Sequence, residues 1–440
     1  MDADRFRISL YLPAGGASEV EATIVEWHVA EGAAFRKGDP LAQVDTEKSV
    51  FDFEAPCDGL VVRLLHAAGE TMALDAPLME IETADPTMRD WIPPAVEQPE
   101  PIAIEPGIAA AAGREPSPGE ELVILGVGSY LPERVVTNAE LVRNLPDVSE
   151  DYVYQVTGIR ERRWAAEGEK PSDMALAAAQ QAIAHAGLSA EDVDAIILST
   201  TTPDVAMPST ACILQERLGL PTVPAFDLNA ACSGWLYAVA VAEGLIRAGT
   251  ARRVLTVAVD LQSRLLDPTD RSAYFIFGDA AGAAVIAMGE PGHALGRIVL
   301  GSDASGLSMA RRHASGYEVT DGRPEIDPWI RLEGSALFRA AAESFALVIR
   351  QALARSGWNA DEPRLIVPHQ ANARILKAAA KRSGIAFDRF YMNVDRVGNT
   401  SSASIPLALV EMDADLHPGD KLLLCSVGAG LTTAATTLVW

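Results

Sequence analysis

Phe226-Asp227-Leu228-Asn229-Ala230-Ala231-Cys232-Ser233-Gly234-Trp235-Leu236-Tyr237 is the stretch whose reading decides the fold. The apolar run 224–228 predicts a short buried strand, and 235–246 predicts a helix. Cys232 falls on the turn between them, among Ala, Ser and Gly residues small enough to admit another molecule. A thiol at a helix N-terminus feels the positive end of the backbone dipole, which favours the nucleophilic thiolate. The same position also suits a small buried residue. The segment alone leaves both readings open.

The 440 residues give room for two or three domains, each with its own core. Four cysteines (Cys57, Cys212, Cys232, Cys425) without CxxC spacing or histidine clusters argue against a disulfide framework or a metal site. No signal-like run opens the chain and no stretch is long and apolar enough to span a bilayer, so a cytoplasmic protein away from membranes is expected. A net charge of −24 disfavours nucleic acid as a partner.

Residues 5–83 read as short strands at 7–12, 22–29, 41–45, 50–54, 60–65 and 78–82. Turn signals such as Lys37-Gly38-Asp39 and Asp58-Gly59 recur between them, as in a small all-β sandwich or flattened barrel. Val44-Asp45-Thr46-Glu47-Lys48-Ser49-Val50 predicts a hairpin with Lys48 at or beside its apex. An exposed lysine there is, by itself, an ordinary solubilising charge.

Glu26-Trp27-His28-Val29, Lys37-Gly38-Asp39-Pro40-Leu41, Asp45-Thr46-Glu47-Lys48-Ser49 and Ala55-Pro56-Cys57-Asp58-Gly59 together resemble a lipoyl domain, the carrier of 2-oxoacid dehydrogenase complexes. The resemblance implies lipoate in amide linkage on Lys48, with a lipoate ligase or lipoyl transferase as partner. Related biotin carriers flank their lysine with methionines; Glu47 and Ser49 stand here and favour lipoate. Asp45, Glu47, Asp52, Glu54 and Asp58 supply the family's acidic surround. Carrier domain 1–84 is followed by 85–119, rich in Pro, Ala and Glu without a hydrophobic period, which reads as a linker. At about 3.1 Å per residue for Pro-rich chain, that tether reaches on the order of 100 Å.

Residues 120–440 alternate apolar strand-like runs with helix-like stretches, the pattern of covered parallel or mixed sheets. Their length suits two stacked α/β halves, about 120–290 and 291–440. Alanine-rich 177–179 and 340–342 suggest helices of a middle layer. Pro368-His369-Gln370-Ala371-Asn372 brings a histidine to a strand-to-helix turn, and Gly398-Asn399-Thr400-Ser401 brings an asparagine to a loop before a helix. Strand-end turns are where chemistry gathers in α/β sheets. A cysteine, a histidine and an asparagine, each on such a turn, are a demanding coincidence.

These blocks, with Gly126-Val127-Gly128, Thr157-Gly158-Ile159-Arg160 and Phe277-Gly278-Asp279-Ala280, resemble β-ketoacyl-acyl-carrier-protein synthase III on the thiolase-like αβαβα fold. The resemblance implies a decarboxylative condensation. Cys232 takes an acyl group from a coenzyme A or phosphopantetheine thioester. His369 and Asn399 stabilise the enolate of malonyl-acyl-carrier protein, and Gly428-Ala429-Gly430 flanks the oxyanion. It also implies a homodimer, coenzyme A or phosphopantetheine contacts at Tyr152, Arg271 and Asn372, and docking of the acidic acyl carrier protein on Arg374, Lys377, Lys381 and Arg382. Departures are Tyr152 and Val156 where the family carries Trp and Arg around the adenine, and Met207 where it carries an aromatic that floors the acyl pocket across the dimer.

The two parts of the chain suggest that a lipoyl arm on Lys48, charged by a 2-oxoacid dehydrogenase component, primes Cys232. One alternative is an acyl-CoA-primed synthase whose lipoyl domain only docks partners. Another is an acyltransferase to an alcohol or amine, which would have no decarboxylation for Asn399 to promote.

Overall fold

The computed structural model describes residues 5–12, 21–46, 50–73, 76–89, 91, 120–143, 145, 148–313, 319–320, 323–324 and 327–440. The chain divides into two compact units, Met1–Arg114 and Glu115–Trp440.

The first unit is a sandwich of two four-stranded sheets. One orders Phe6–Tyr11, Pro77–Thr83, Gly59–Leu64 and Ala34–Phe35; the other Val50–Glu54, Pro40–Thr46, Glu21–Trp27 and Thr71–Ala73. Period-two alternation turns Leu10, Ile24, Val44, Leu78 and Ile81 inward, where they are fully or almost fully buried. The expected strands all form. The two short ones at Ala34–Phe35 and Thr71–Ala73 escape a pattern reading, because two or three residues carry no alternation. Antiparallel pairing of Val44 with Phe51 and Asp45 with Val50 fixes the hairpin register. Lys48 lies outside the described residues. Past the last strand, Met88 is buried and Trp91 packs against the same core.

The second unit is built on a ten-stranded mixed sheet. Its first five strands run Ala225–Leu228, Ala195–Ser199, Val254–Asp260, Ala280–Met288, Leu122–Tyr130. The short strand His293–Leu295 joins Leu122–Tyr130 to Thr432–Val439, which continues to Lys421–Gly428 and Leu365–Pro368. Apolar runs such as Val254–Asp260 are buried along their whole length, as strands covered on both faces must be.

Helices Gly234–Arg247 and Ser404–Met412 share one core with strands of both groups, including Ala195, Val254, Leu422 and Leu438. They are therefore the middle layer. The alanine-rich helices expected there lie outside instead. Pro171–His185 covers the first group of strands with Thr210–Leu218, and Gly334–Ser356 covers the second with Ala373–Ser383. The reason is polarity: Pro171–His185 carries Asp173, Gln180 and Gln181, which need solvent on one side, whereas Ser404–Met412 is almost wholly apolar. Small residues matter in the outer layer too. A Cβ at Gly128 would stand 2.2 Å from the Ala178 carbonyl oxygen, so the strand accepts this helix only with glycine there.

Candidate active site

Strand Ala225–Leu228 ends in a 3-10 turn, Ala231–Ser233, from which helix Gly234–Arg247 departs. Ala231 takes φ +47°, left-handed for a residue with a Cβ, and this bends the backbone enough to present Cys232 at the turn. The turn is stitched to the C-terminal hairpin. The Thr432 hydroxyl donates to the Ala230 carbonyl at 2.8 Å, and the Ser233 hydroxyl to the Thr432 carbonyl at 3.0 Å. Gly428 ends strand Lys421–Gly428 directly against this turn; a Cβ there would lie 2.7 Å from the Cys232 amide nitrogen. Gly428 is buried, while Ala429 and Gly430 are partly exposed beyond it.

The histidine follows strand Leu365–Pro368. Its amide donates to the Cys425 carbonyl at 2.7 Å, continuing the parallel ladder that pairs Pro368 with Cys425. The adjacent Gln370 is fully buried and acts as a clamp. Its amide nitrogen donates to the Pro368 and Tyr391 carbonyls at 3.0 and 2.9 Å, and its oxygen accepts from the Asn393 and Val394 amides at 3.0 and 3.2 Å. This fixes the loop that carries Asn399. Asn399 then accepts from the Ser401 amide at 2.8 Å and donates to the Ala371 carbonyl at 3.3 Å.

Ser401 is where the three turns meet. Its hydroxyl is 3.6 Å from Cys232 Sγ, and its amide is held by Asn399. Its carbonyl lies 2.9 Å from the Ser404 hydroxyl, which lies 2.8 Å from His369 Nδ1. Ser401 also has φ +51°, a second left-handed residue with a side chain. Behind it the fully buried Asp260 accepts from the Thr201 amide and hydroxyl, each at 2.8 Å, and from the Ser402 hydroxyl at 3.1 Å. Gln370, Ser401, Ser404 and Asp260 did not stand out in the sequence. The signal available for the serines was the polar run Thr400-Ser401-Ser402 beside an apolar helix.

Burial makes both reactive groups neutral. It pushes the Cys232 thiol up to about 12, helped by Asp260, against a weaker opposing hydrogen bond from Ser401. Burial thus favours the thiol over the expected thiolate as the resting form. Burial likewise pulls His369 down to about 3, so its imidazole is uncharged at neutral pH. A neutral imidazole has one donor and one acceptor nitrogen.

The remaining sequence candidates are placed more loosely. Tyr152 lies on helix Glu150–Thr157 and packs in a small apolar cluster with Val136, Leu141 and Phe275. Arg271 is exposed, on a loop whose Asp267 and Asp270 are held by Arg331 at 2.8 and 3.3 Å. Asn372 has both ends of its amide engaged within the protein. It caps helix Ala373–Ser383 through the Arg374 amide at 2.8 Å and donates to the Val156 carbonyl at 3.3 Å. On that helix Ile375, Leu376, Ala379 and Ala380 are buried, leaving Lys377 and Lys381 exposed and Arg374 and Arg382 partly so. Among the described residues no helix is long and apolar enough to cross a membrane.

Comparison with known proteins agrees with this geometry. The family models for 3-oxoacyl-[acyl-carrier-protein] synthase III and for its C-terminal part match residues 226–304 and 353–440. A biotin/lipoyl model, described as biotin-requiring enzyme, matches residues 9–81 within the first unit. Beta-ketoacyl-[acyl-carrier-protein] synthase III 3 of Streptomyces coelicolor is 43% identical over 72% of this chain and 97% of its own. The crystal structure of the synthase III of Thermus thermophilus is 42% identical, with TM-score 0.68 over 72% of this chain and 99% of that one. The priming β-ketosynthase of the R1128 polyketide pathway is 33% identical, with TM-score 0.67 over 74% and 98%. With cysteine, histidine and asparagine turns converging on one serine inside a fold shared along nearly the full length of these relatives, the chain belongs to the β-ketoacyl-acyl-carrier-protein synthase III family of acyl-transferring condensing enzymes.

Proposed function

We propose that Cys232, His369 and Asn399 carry out a decarboxylative Claisen condensation between an acyl thioester and malonyl-acyl-carrier protein. The supporting observation is the Ser401 junction, which joins Cys232 and Asn399 directly and His369 through Ser404. In the first half-reaction Cys232 sulfur bonds the acyl carbon, the donor thioester bond breaks, and the thiol proton leaves with the departing thiol. The backbone beside Gly428 offers N–H groups to the oxyanion. In the second, the malonyl group loses carbon dioxide, and the enolate is held by donors from His369 and Asn399. Its carbon attacks the acyl group and releases Cys232.

The finer reading is that the acyl group arrives on lipoyl-Lys48. Carriage of a biotin/lipoyl-type unit on the same polypeptide supports it, since a tether supplies millimolar-range effective concentration. Tyr152 and Val156 at positions where a Trp and an Arg would clamp coenzyme A also favour a donor other than free acyl-CoA. On this reading the partners are a lipoate ligase or lipoyl transferase, a 2-oxoacid dehydrogenase component, and an acyl carrier protein received on the Lys377 and Lys381 face. Met207, 86% exposed, fits a homodimer contact. The test uses lipoylated full-length protein, with lipoylation checked by intact mass. Acyl-dihydrolipoyl protein should acylate Cys232, and Lys48→Arg should remove that transfer. Equal acylation after Lys48→Arg refutes lipoyl priming and leaves the condensing chemistry standing.

A further inference from the structure

A cleft of about 930 Å³ opens in the second unit. Thr202, Leu261 and Arg312 are among the residues that line it. Arg312 lies on strand Ala310–His313, which pairs with Asp327–Leu332. Its guanidinium is half-buried and donates to the Thr201 carbonyl at 3.2 Å; among the described residues no ion pair joins it. Two other cations of the lining, Arg217 and Arg264, have partners of their own, and Lys170 lines the cleft as well. Arg217 pairs with Asp173 at 2.8 Å, and Arg264 donates to the Ala166 and Glu169 carbonyls at 3.0 and 2.6 Å. A guanidinium has five N–H donors in a planar fork, and burying it on one carbonyl leaves most of that capacity unused.

A run of hydrogen bonds leads from Arg312 toward Cys232. Thr201, whose carbonyl it touches, gives its amide and hydroxyl to Asp260. Asp260 binds Ser402, the neighbour of the Ser401 hydroxyl that lies 3.6 Å from Cys232 Sγ. Thr202 and Leu261, which line the cleft, are the chain neighbours of Thr201 and Asp260. We infer that Arg312 selects acyl groups whose far end is a carboxylate, so that the substrate class of Cys232 is the short dicarboxylic acyl thioester. This rests on the acyl-enzyme reading above. The thioester carbonyl is attacked by Cys232, the donor thiol departs with the proton, and the distal carboxylate takes the fork in a bidentate, charge-assisted pair. An apolar acyl chain would leave the half-buried guanidinium with the Thr201 carbonyl as its hydrogen-bond partner and only the more distant charge of Asp260.

The test compares succinyl and 4-methylpentanoyl thioesters of N-acetylcysteamine on the full-length protein. The isopropyl end has the shape of a carboxylate without its charge, and this thiol avoids any coenzyme A contact. Acylation of Cys232 is followed by intact mass. Wild type should prefer succinyl by roughly 10- to 100-fold. Arg312→Met should abolish the preference while still accepting the neutral chain, and Arg312→Lys should keep part of it. A wild-type preference for the neutral chain overturns the inference whatever the variants do. Equal slowing of both donors by Arg312→Met also overturns it, showing Arg312 to be only a counter-charge for Asp260. An absence of any Cys232 adduct, in protein whose thiol still reacts with iodoacetamide, overturns the acyl-enzyme reading itself.

Discussion

The turn at Ala231–Ser233 and the turn at Ser401–Ala403 use one backbone device for opposite purposes. Each begins at a left-handed residue with a side chain, φ +47° and +51°, at a cost of about 1–2 kcal/mol. Each runs through a 3-10 turn into a helix of the middle layer. The first leaves Cys232 partly accessible, presenting a sulfur atom. The second is wholly buried: Ser401 and Ser402 are each 1% exposed, and their hydrogen bonds hold Asn399 and Asp260 in place. Strain is thus spent once on presentation and once on positioning. The two turns touch through the Cys232–Ser401 contact, so the division of labour can be tested one side at a time.

The largest effect is expected on the presenting side. Cys232→Ala should remove every acyl adduct seen by intact mass and lower condensation by on the order of 10⁴-fold or more. Decarboxylation of malonyl-acyl-carrier protein, measured as released carbon dioxide, should persist. On the positioning side, Asn399→Ala should acylate normally yet lose about 100- to 1000-fold in decarboxylation. Equal loss in both half-reactions would erase the distinction between the turns.

Two pH experiments sharpen it further. With the Cys232 thiol pushed up to about 12, its thiolate fraction grows about tenfold per pH unit anywhere below that value. Iodoacetamide inactivation should therefore rise about 100-fold from pH 7 to 9 without levelling. A plateau near pH 8.5 would show a thiol activated by the helix after all. The smallest expected effect is none. His369, pulled down to about 3, stays neutral above pH 5, so decarboxylation in the Cys232→Ala protein should show no loss centred near pH 6.5. Such a loss would mean the imidazole is hydrated, not buried.

Much of this was legible beforehand. The carrier strands follow from alternation, since one side of each faces a core. Cys232, His369 and Asn399 announce themselves as polar residues at the ends of apolar strands, where a turn must expose something. Layer assignment was less legible. Runs of alanine at 177–179 and 340–342 permit close packing on any neighbour, and only the polar residues opposite them send these helices outward. Gln370 is quieter still: its four hydrogen bonds span residues 368–394, and nothing local marks a glutamine for that task.

Residue order by itself determined the two-part chain, the period of each strand and helix, and which three polar side chains stand on strand-end turns. These depend on near neighbours and on small-residue spacing. Tertiary structure decided what those side chains are. Protonation at Cys232 and His369 is set by how much water survives around them, and that is fixed by chain segments more than a hundred residues apart. Helix Gly234–Arg247 offers its dipole in any fold, whereas the burial that raises the Cys232 thiol exists only in the packed site.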